Sequence, residues 1–227
     1  MGGADLPVGG KLHKGATAPV ADLGALNPAL AGVPATLNIE PRGNQRAYNE
    51  SWGAGFELGY GLSDMSEVFG SFRWQRSNAG QVLIGTADVP ALNARLPVYG
   101  NFSRLQAYSG EIGYRQYFGT LIKPYVAGRA GITFTDPIRV DVLVPDGGIA
   151  LNSVPFYRSS ISATFGGDVG VAFPLTSGVD LNFETGIRYT TGLRGDDTSL
   201  GGLGLGDINS AGARFDVPLR AGLTFRF

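Results

Sequence analysis

The chain has 227 residues, a formal net charge of −1, no cysteine, 36 glycines, 16% charged residues and 11% aromatic residues. The balanced charge leaves no basic face for nucleic acid, and the missing thiols exclude a disulfide framework or a thiolate metal site. No apolar run of about 18 residues is present, so no membrane helix is expected, and glycine and aromatics in these amounts suit strands and turns.

Residues 1–30 mix Pro, Gly and Ala without a clear period and read as an irregular N-terminal segment. Met1-Gly2-Gly3 resembles a start supplied by expression, with any native leader removed. A barrel domain is expected over 31–227. At 31–40, Val33, Ala35, Leu37 and Ile39 alternate with polar neighbours, although Pro34 cannot donate to a sheet ladder. Trp52, Ala54, Phe56, Leu58 and Tyr60 form the next alternating set, followed after a short turn by Val68, Phe72 and Trp74. Tyr108, Ile112, Tyr114 and Phe118 follow a long segment (78–104), and after "GTLIKP" come Val126, Ala130, Ile132 and Phe134. A second long segment (136–158) leads to Ile161, Phe165, Val169, Val171 and Phe173, and "PLTSG" then turns into Val179, Leu181, Phe183, Ile187 and Tyr189. A third long, glycine-rich segment (192–212) precedes Phe215, Val217, Leu219, Leu223, Phe225 and Phe227. Strict alternation over such runs is the period of a strand with one apolar and one polar face. Three short turns and three long segments alternate, which an ordinary sandwich has no reason to do and a transmembrane barrel does.

The polar parity carries Glu57, Glu67, Glu111, Asp168, Asp180, Glu184 and Asp216, and with them Arg73, Arg115, Arg129, Arg188, Arg214, Arg220 and Arg226. In a soluble barrel the other parity would have to fill the interior, and its fifteen aromatics would overfill eight strands. Turned outward, those aromatics form two belts. Trp52, Trp74, Tyr108, Phe134, Tyr189 and Phe215 fall toward the long loops, and Tyr60, Phe118, Phe173 and Phe225 toward the short turns or the terminus. The lumen is then expected to hold a charge network of Glu57, Glu67, Arg73, Glu111, Arg115, Arg129, Asp168, Asp180, Glu184, Arg188, Asp216 and Arg220. Same-face pairs four apart in one strand lie about 13 Å apart, so partners are expected across strands. The expected fold is an all-β, eight-stranded antiparallel up-and-down transmembrane barrel.

The final strand "AGLTFRF", the unit "GYGLSDMSEVFGSFRW" and the stretch "YRQYFGTLIKPYVAGRAGITF" resemble small bacterial outer-membrane barrels of the OmpA-barrel and OmpX kind. The resemblance implies an outer-membrane location and a wall in contact with lipid and lipopolysaccharide. It also implies an assembly signal in Leu223, Phe225 and Phe227, read by the outer-membrane insertion machinery. Phe227 would close the barrel against the strand at 31–40.

Two functions follow as expectations: a structural and surface-interaction protein with a closed lumen and a partner met by the long loops, or a porin-like small-solute channel gated by the same charges. No enzyme is expected, and no cofactor or metal. His13 is the single histidine and reads as an exposed loop residue rather than a triad member. Arg194-Gly195-Asp196 matches a three-residue adhesion motif but reads as ordinary polar loop, and the acids Asp196, Asp197 and Asp207 lack calcium-loop spacing. Pro145–Gly148 reads as the tip of a hairpin that continues the preceding strand above the membrane.

Overall fold

The alternating runs do form strands, and seven of the eight pair with their neighbours in chain order. In a computed structural model, which describes residues 1–209 and 212–225, the strands are β1 (Gly2–Gly9), β2 (Lys11–His13), β3 (Ala16–Val20), β4 (Ala35–Ile39), β5 (Arg42–Gly43), β6 (Ser51–Ser63), β7 (Ser66–Ser77), β8 (Gln81–Val89), β9 (Ala94–Phe102), β10 (Leu105–Tyr117), β11 (Lys123–Thr135), β12 (Ile138–Val144), β13 (Ile149–Tyr157), β14 (Ser160–Thr176), β15 (Val179–Thr190) and β16 (Arg214–Phe225). Eight of them close a barrel in the order β1-β16-β15-β14-β11-β10-β7-β6, with every neighbouring pair antiparallel. Short turns at 64–65, 118–122 and 177–178 lie at one end, and the excursions 10–50, 78–104, 136–159 and 191–213 leave from the other.

The barrel's first strand corrects the sequence expectation. Residues 1–30 are not irregular throughout: β1 inserts between β6 and β16, pairing Gly2 with Ala54 on one side and with Ala221 on the other. Its outward residues Leu6 and Val8 are exposed and its inward Asp5 is buried. Only those two outward side chains are large, and Pro7 interrupts the run, so the period is hard to see. Pro7 lies beyond Asp5, the last residue paired to β6, where a missing donor is tolerated. The expected first strand is real but sits elsewhere. Ala35–Ile39 pairs with β3 and β8 in a second sheet, and Ala35 and Ile39 are buried there. Phe227 and Arg226 lie outside the described residues.

That second sheet has the order β13-β12-β9-β8-β4-β3 and, with the β2-β5 pair, forms a cap over the loop end of the barrel. The main hydrophobic core is in the cap, not in the barrel. It joins Leu12, Leu23, Ile39, Val98, Phe102, Ile138, Phe156 and Tyr157 with Leu200, Leu205 and Ile208 from the glycine-rich excursion. Hydrogen bonds pin that excursion down: Lys14 N donates to Ile208 O at 2.8 Å and Asn209 Nδ2 to Phe156 O at 2.6 Å. The Tyr157 hydroxyl donates to Leu12 O. The hairpin of β12 and β13 has its tip at Pro145–Gly147, and Gly148 follows at φ 58°, a left-handed conformation that glycine adopts without Cβ strain. β12 also pairs with β9, so the hairpin is not free-standing. The sheet edges are blunted against further pairing by Pro19 in β3 and Pro155 in β13.

Candidate functional site

Charged side chains of one parity turn into the barrel and meet near its middle. Arg129 of β11 is the hub. Its Nε lies 2.6 Å from Asp168 Oδ2, its Nη2 2.9 Å from Glu184 Oε1, and its Nη1 3.4 Å from Glu111 Oε2 and 3.8 Å from Glu57 Oε2. Arg188 donates to both Asp168 oxygens at 2.7 and 3.1 Å, and its Nε is 3.4 Å from Glu111 Oε1. Arg115 pairs with Glu57 at 2.7 Å, with Glu67, and with Glu184 at 3.6 Å. Its guanidinium carbon lies 4.7 Å from the ring centres of both Phe69 and Tyr125. Arg220 reaches Glu184 at 3.0 Å. The partners come from different strands, since the fork of one arginine spans carboxylates presented by several walls. Unpaired, such buried charges would be costly.

Toward the loop end, Arg73 pairs with Asp5, and Arg214 lies 3.9 Å from Asp216. Asp180 is buried on the same inner face, opposite Thr224 of β16. Asp5 was missed in the sequence because its strand was missed. Phe69, Tyr117 and Tyr125 also face inward; their parity was readable, but an aromatic type argues for the lipid side. A narrow lumen accepts them through close approach to glycine. The Tyr125 ring lies over Gly170, its cross-strand partner, and Arg188 lies over Gly166, so a Cβ at either glycine would overlap the neighbouring side chain.

The free space in the lumen is divided. A vestibule of about 930 Å³ at the short-turn end is bordered by Glu57, Glu67, Arg115, Tyr117 and Lys123. Beyond this layer the spaces lined by Arg129 and Glu111, and by Arg73, Arg188 and Asp216, are about 30 and 20 Å³. Each has room for on the order of one or two waters.

The outer wall carries the opposite chemistry. Leu58 and Ile112 are each 74% exposed and Ile161 is 71% exposed, a density of bare apolar side chains that water would not tolerate. Cross-strand rows of aromatics lie toward the loop end. Trp74, Tyr108 and Phe134 are neighbours in register, and Tyr189 stands 5.1 Å from Phe215. Trp52 is exposed at the start of β6. Tyr60, Phe118, Phe173 and Phe225 lie toward the short turns, with Phe173 6.2 Å from Phe183. Leu223 and Phe225 both face outward and are exposed.

His13 departs from expectation. It is 2% exposed rather than open to solvent, because the pairing of β2 with β5 draws it into the cap core. Its ring stacks at 6.4 Å on Phe102 and stands edge-on to Phe156. Burial, together with the nearby Arg42 cation, pushes its pKa below the usual histidine value. The Arg194-Gly195-Asp196 tripeptide is folded against the cap wall. Arg194 N donates to Ser160 Oγ at 2.9 Å, and Gly195 bridges to Tyr157. The Asp196 carboxylate accepts from Thr198 Oγ1 at 2.5 Å and pairs with Arg158 at 3.4 Å, contacts that hold its pKa below the usual carboxylate value. Among the described residues no cluster of three or more His, Cys, Asp or Glu is arranged to hold a metal.

A closed antiparallel barrel with an apolar wall, a charged interior, short turns at one end and long excursions at the other is a small eight-stranded transmembrane barrel of the outer-membrane type. No family model and no curated protein matches the chain. Among solved structures it is similar to Neisserial surface protein A, at 16% identity and a TM-score of 0.41, over 100% of this chain and 96% of that one.

Proposed function

We propose that the protein is an integral barrel of a bacterial outer membrane, non-enzymatic, whose lumen is held shut by its arginine–carboxylate network and whose working surface is the extracellular cap. The observation that carries this reading is Arg129. Its guanidinium contacts carboxylates from four strands, Glu57 of β6, Glu111 of β10, Asp168 of β14 and Glu184 of β15, with the side chain 2% exposed. A solute coming up from the periplasmic vestibule would have to part that set, which breaks several charge-assisted bonds at once. The wall meets outer-membrane lipid and lipopolysaccharide, the final strand engages the insertion machinery, and a surface partner would meet the cap built from the long loops. The experiment is a planar-bilayer recording on the refolded protein, run beside fractionation of cells and a gel comparison of boiled and unboiled samples. The expected results are outer-membrane recovery, faster migration when unboiled, and no steady current. Reproducible single-channel steps would overturn the closed lumen in favour of a small-solute channel.

A further inference from the structure

The strand that closes the barrel is shorter than the two it joins. Its ladder to β6 ends at Gly2 opposite Ala54, and below that Met1 and Gly55 exchange backbone hydrogen bonds of 2.8 and 2.9 Å. β6 runs on to Ser63 and β16 to Phe225, and among the described residues no strand pairs with the facing edge of either below Met1. Backbone groups in an antiparallel ladder point to alternate sides. Those of Gly55 point to β1, so those of Glu57, Gly59 and Gly61 point into the gap. The free space shows the same opening. The vestibule of about 930 Å³ touches Phe56, Leu58, Leu223 and Phe225 of the outer face as well as the charged inner residues, so it opens sideways through the wall. Gly59, Gly61 and Ser63 have the inner parity and are exposed nonetheless. A membrane barrel cannot leave such an edge bare, because lipid offers its N–H and C=O groups no partner.

Above Met1 the gap is filled by β1 alone, so it has the width of one strand. We infer that the slot takes an extended peptide of a partner, which enters at the short-turn end and adds as a strand antiparallel to β6 and β16. A strand carries donors and acceptors along both edges and matches the spacing of Glu57, Gly59 and Gly61 on one side and of β16 on the other. An acyl chain carries neither. The added strand continues the register of β1, which fixes where its side chains go. The residue opposite Glu57 points into the lumen, and its two neighbours point to lipid beside Phe56 and Leu58. Glu57 Oε2 is buried, has no hydrogen-bond partner and lies 3.8 Å from Arg129. A lysine or arginine therefore suits the position opposite Glu57, with apolar residues on either side of it. The inference rests on the transmembrane reading of the wall and stands whether or not the lumen conducts.

The test is disulfide cross-linking of the full chain in lipid nanodiscs. The protein has no cysteine, so one introduced thiol reports one place. Gly59→Cys puts it in the slot, where a Cβ meets only the Glu67 side chain, at 3.4 Å, and Gly61→Cys is a second slot variant with only Ser63 O near, at 3.9 Å. Gly110→Cys puts the thiol on the wall of β10, where a Cβ meets nothing within 4 Å. Fast migration of unboiled samples shows first that each variant is a folded barrel, so a failure of the transmembrane reading appears before any probe is added. The probe is a short peptide of alternating valine and threonine with one central lysine and a cysteine moved along it. The slot variants are expected to cross-link about tenfold faster than Gly110→Cys, with yields that rise and fall at every second peptide position. Replacing the lysine by glutamate, or methylating alternate peptide nitrogens, should slow the reaction about tenfold. Equal rates at slot and wall, yields that ignore the cysteine's position, or a thiol-bearing fatty acid that labels the slot as fast as the peptide would overturn the inference. A cross-linked dimer of Gly59→Cys that forms alone and shuts the peptide out would also overturn it, by making the occupant a second copy of this chain.

Discussion

Arg129 Nε lies 2.6 Å from Asp168 Oδ2, and the same carboxylate takes two hydrogen bonds from Arg188. One acid on β14 therefore ties together β11, β14 and β15 from inside the lumen. Removing Arg129 leaves Asp168 with Arg188 alone and leaves Glu184 and Glu111 short of a cation. Breaking a buried pair on one side costs roughly 3–5 kcal/mol. Arg129→Ala is expected to lower clearly the temperature at which the fast-migrating folded band is lost on an unboiled gel. Arg129→Lys should fall between, since an ammonium cannot span several carboxylates as a guanidinium fork does. An unchanged transition in Arg129→Ala would show that the network does not hold the barrel.

Asp5 joins the closing strand to the lumen through Arg73. Asp5→Ala should lower the same melting transition, but by less than Arg129→Ala, because Arg73 retains contact with solvent and with Gln75 at 2.8 Å. The comparison is made on one gel series with matched lipid. A larger loss in Asp5→Ala would place the critical contact at barrel closure instead of the central hub.

Two glycines separate the lumen face from the lipid face. Gly170 is overlain by the Tyr125 ring, whereas nothing lies within 4 Å of a Cβ at Gly128. Gly170→Ala is therefore an overpacking change worth about 1–3 kcal/mol, and Gly128→Ala should be close to neutral. Urea titration followed by tryptophan fluorescence distinguishes them. Equal midpoints would mean that Tyr125 moves aside at no cost.

His13 gives the cap a pH dependence with a definite sign. Its pKa in the folded protein is lowered by burial and by Arg42, so between the folded value and the unfolded value of about 6.5 the unfolded chain binds more protons. Stability is at its full level above pH 6.5, falls as pH drops below it, and levels off once the folded ring itself is protonated. Amide exchange in β2 and β13 should be faster relative to the barrel strands at pH 5.5 than at pH 7.5. His13→Phe should remove the part of that difference due to this ring. An identical pH response in the variant would assign the effect to other groups.

Parity carried most of the architecture. Seven of the barrel strands were readable because apolar or small residues alternate with polar ones along most of each strand, and the same parity assigned Arg129, Arg188 and Glu184 to the inner face. What failed were places where that signal is thin. β1 has only Leu6 and Val8 to mark its outer face, whereas Ala35–Ile39 alternates well but serves a different sheet. Alternation reports that one face is buried and says nothing of which sheet buries it. The cap escaped notice for a related reason. Its core is assembled from four separate excursions, each too short to display a core of its own. The burial of His13 follows from contacts with Phe102 and Phe156, both remote in sequence.

That scattered origin of the cap has a consequence for biogenesis. Leu12, Val98, Ile138 and Leu205 leave the barrel in four different excursions and return to it before meeting in one core. Three of these pieces hold a hairpin of their own, but each leaves an apolar face that only the others cover. The cap can condense only after the strands beneath have found their neighbours. Its completed core then acts as a latch on the strand order: exchanging any two hairpins would pull the core apart, and the surface of the protein thereby reports that the membrane part was assembled correctly.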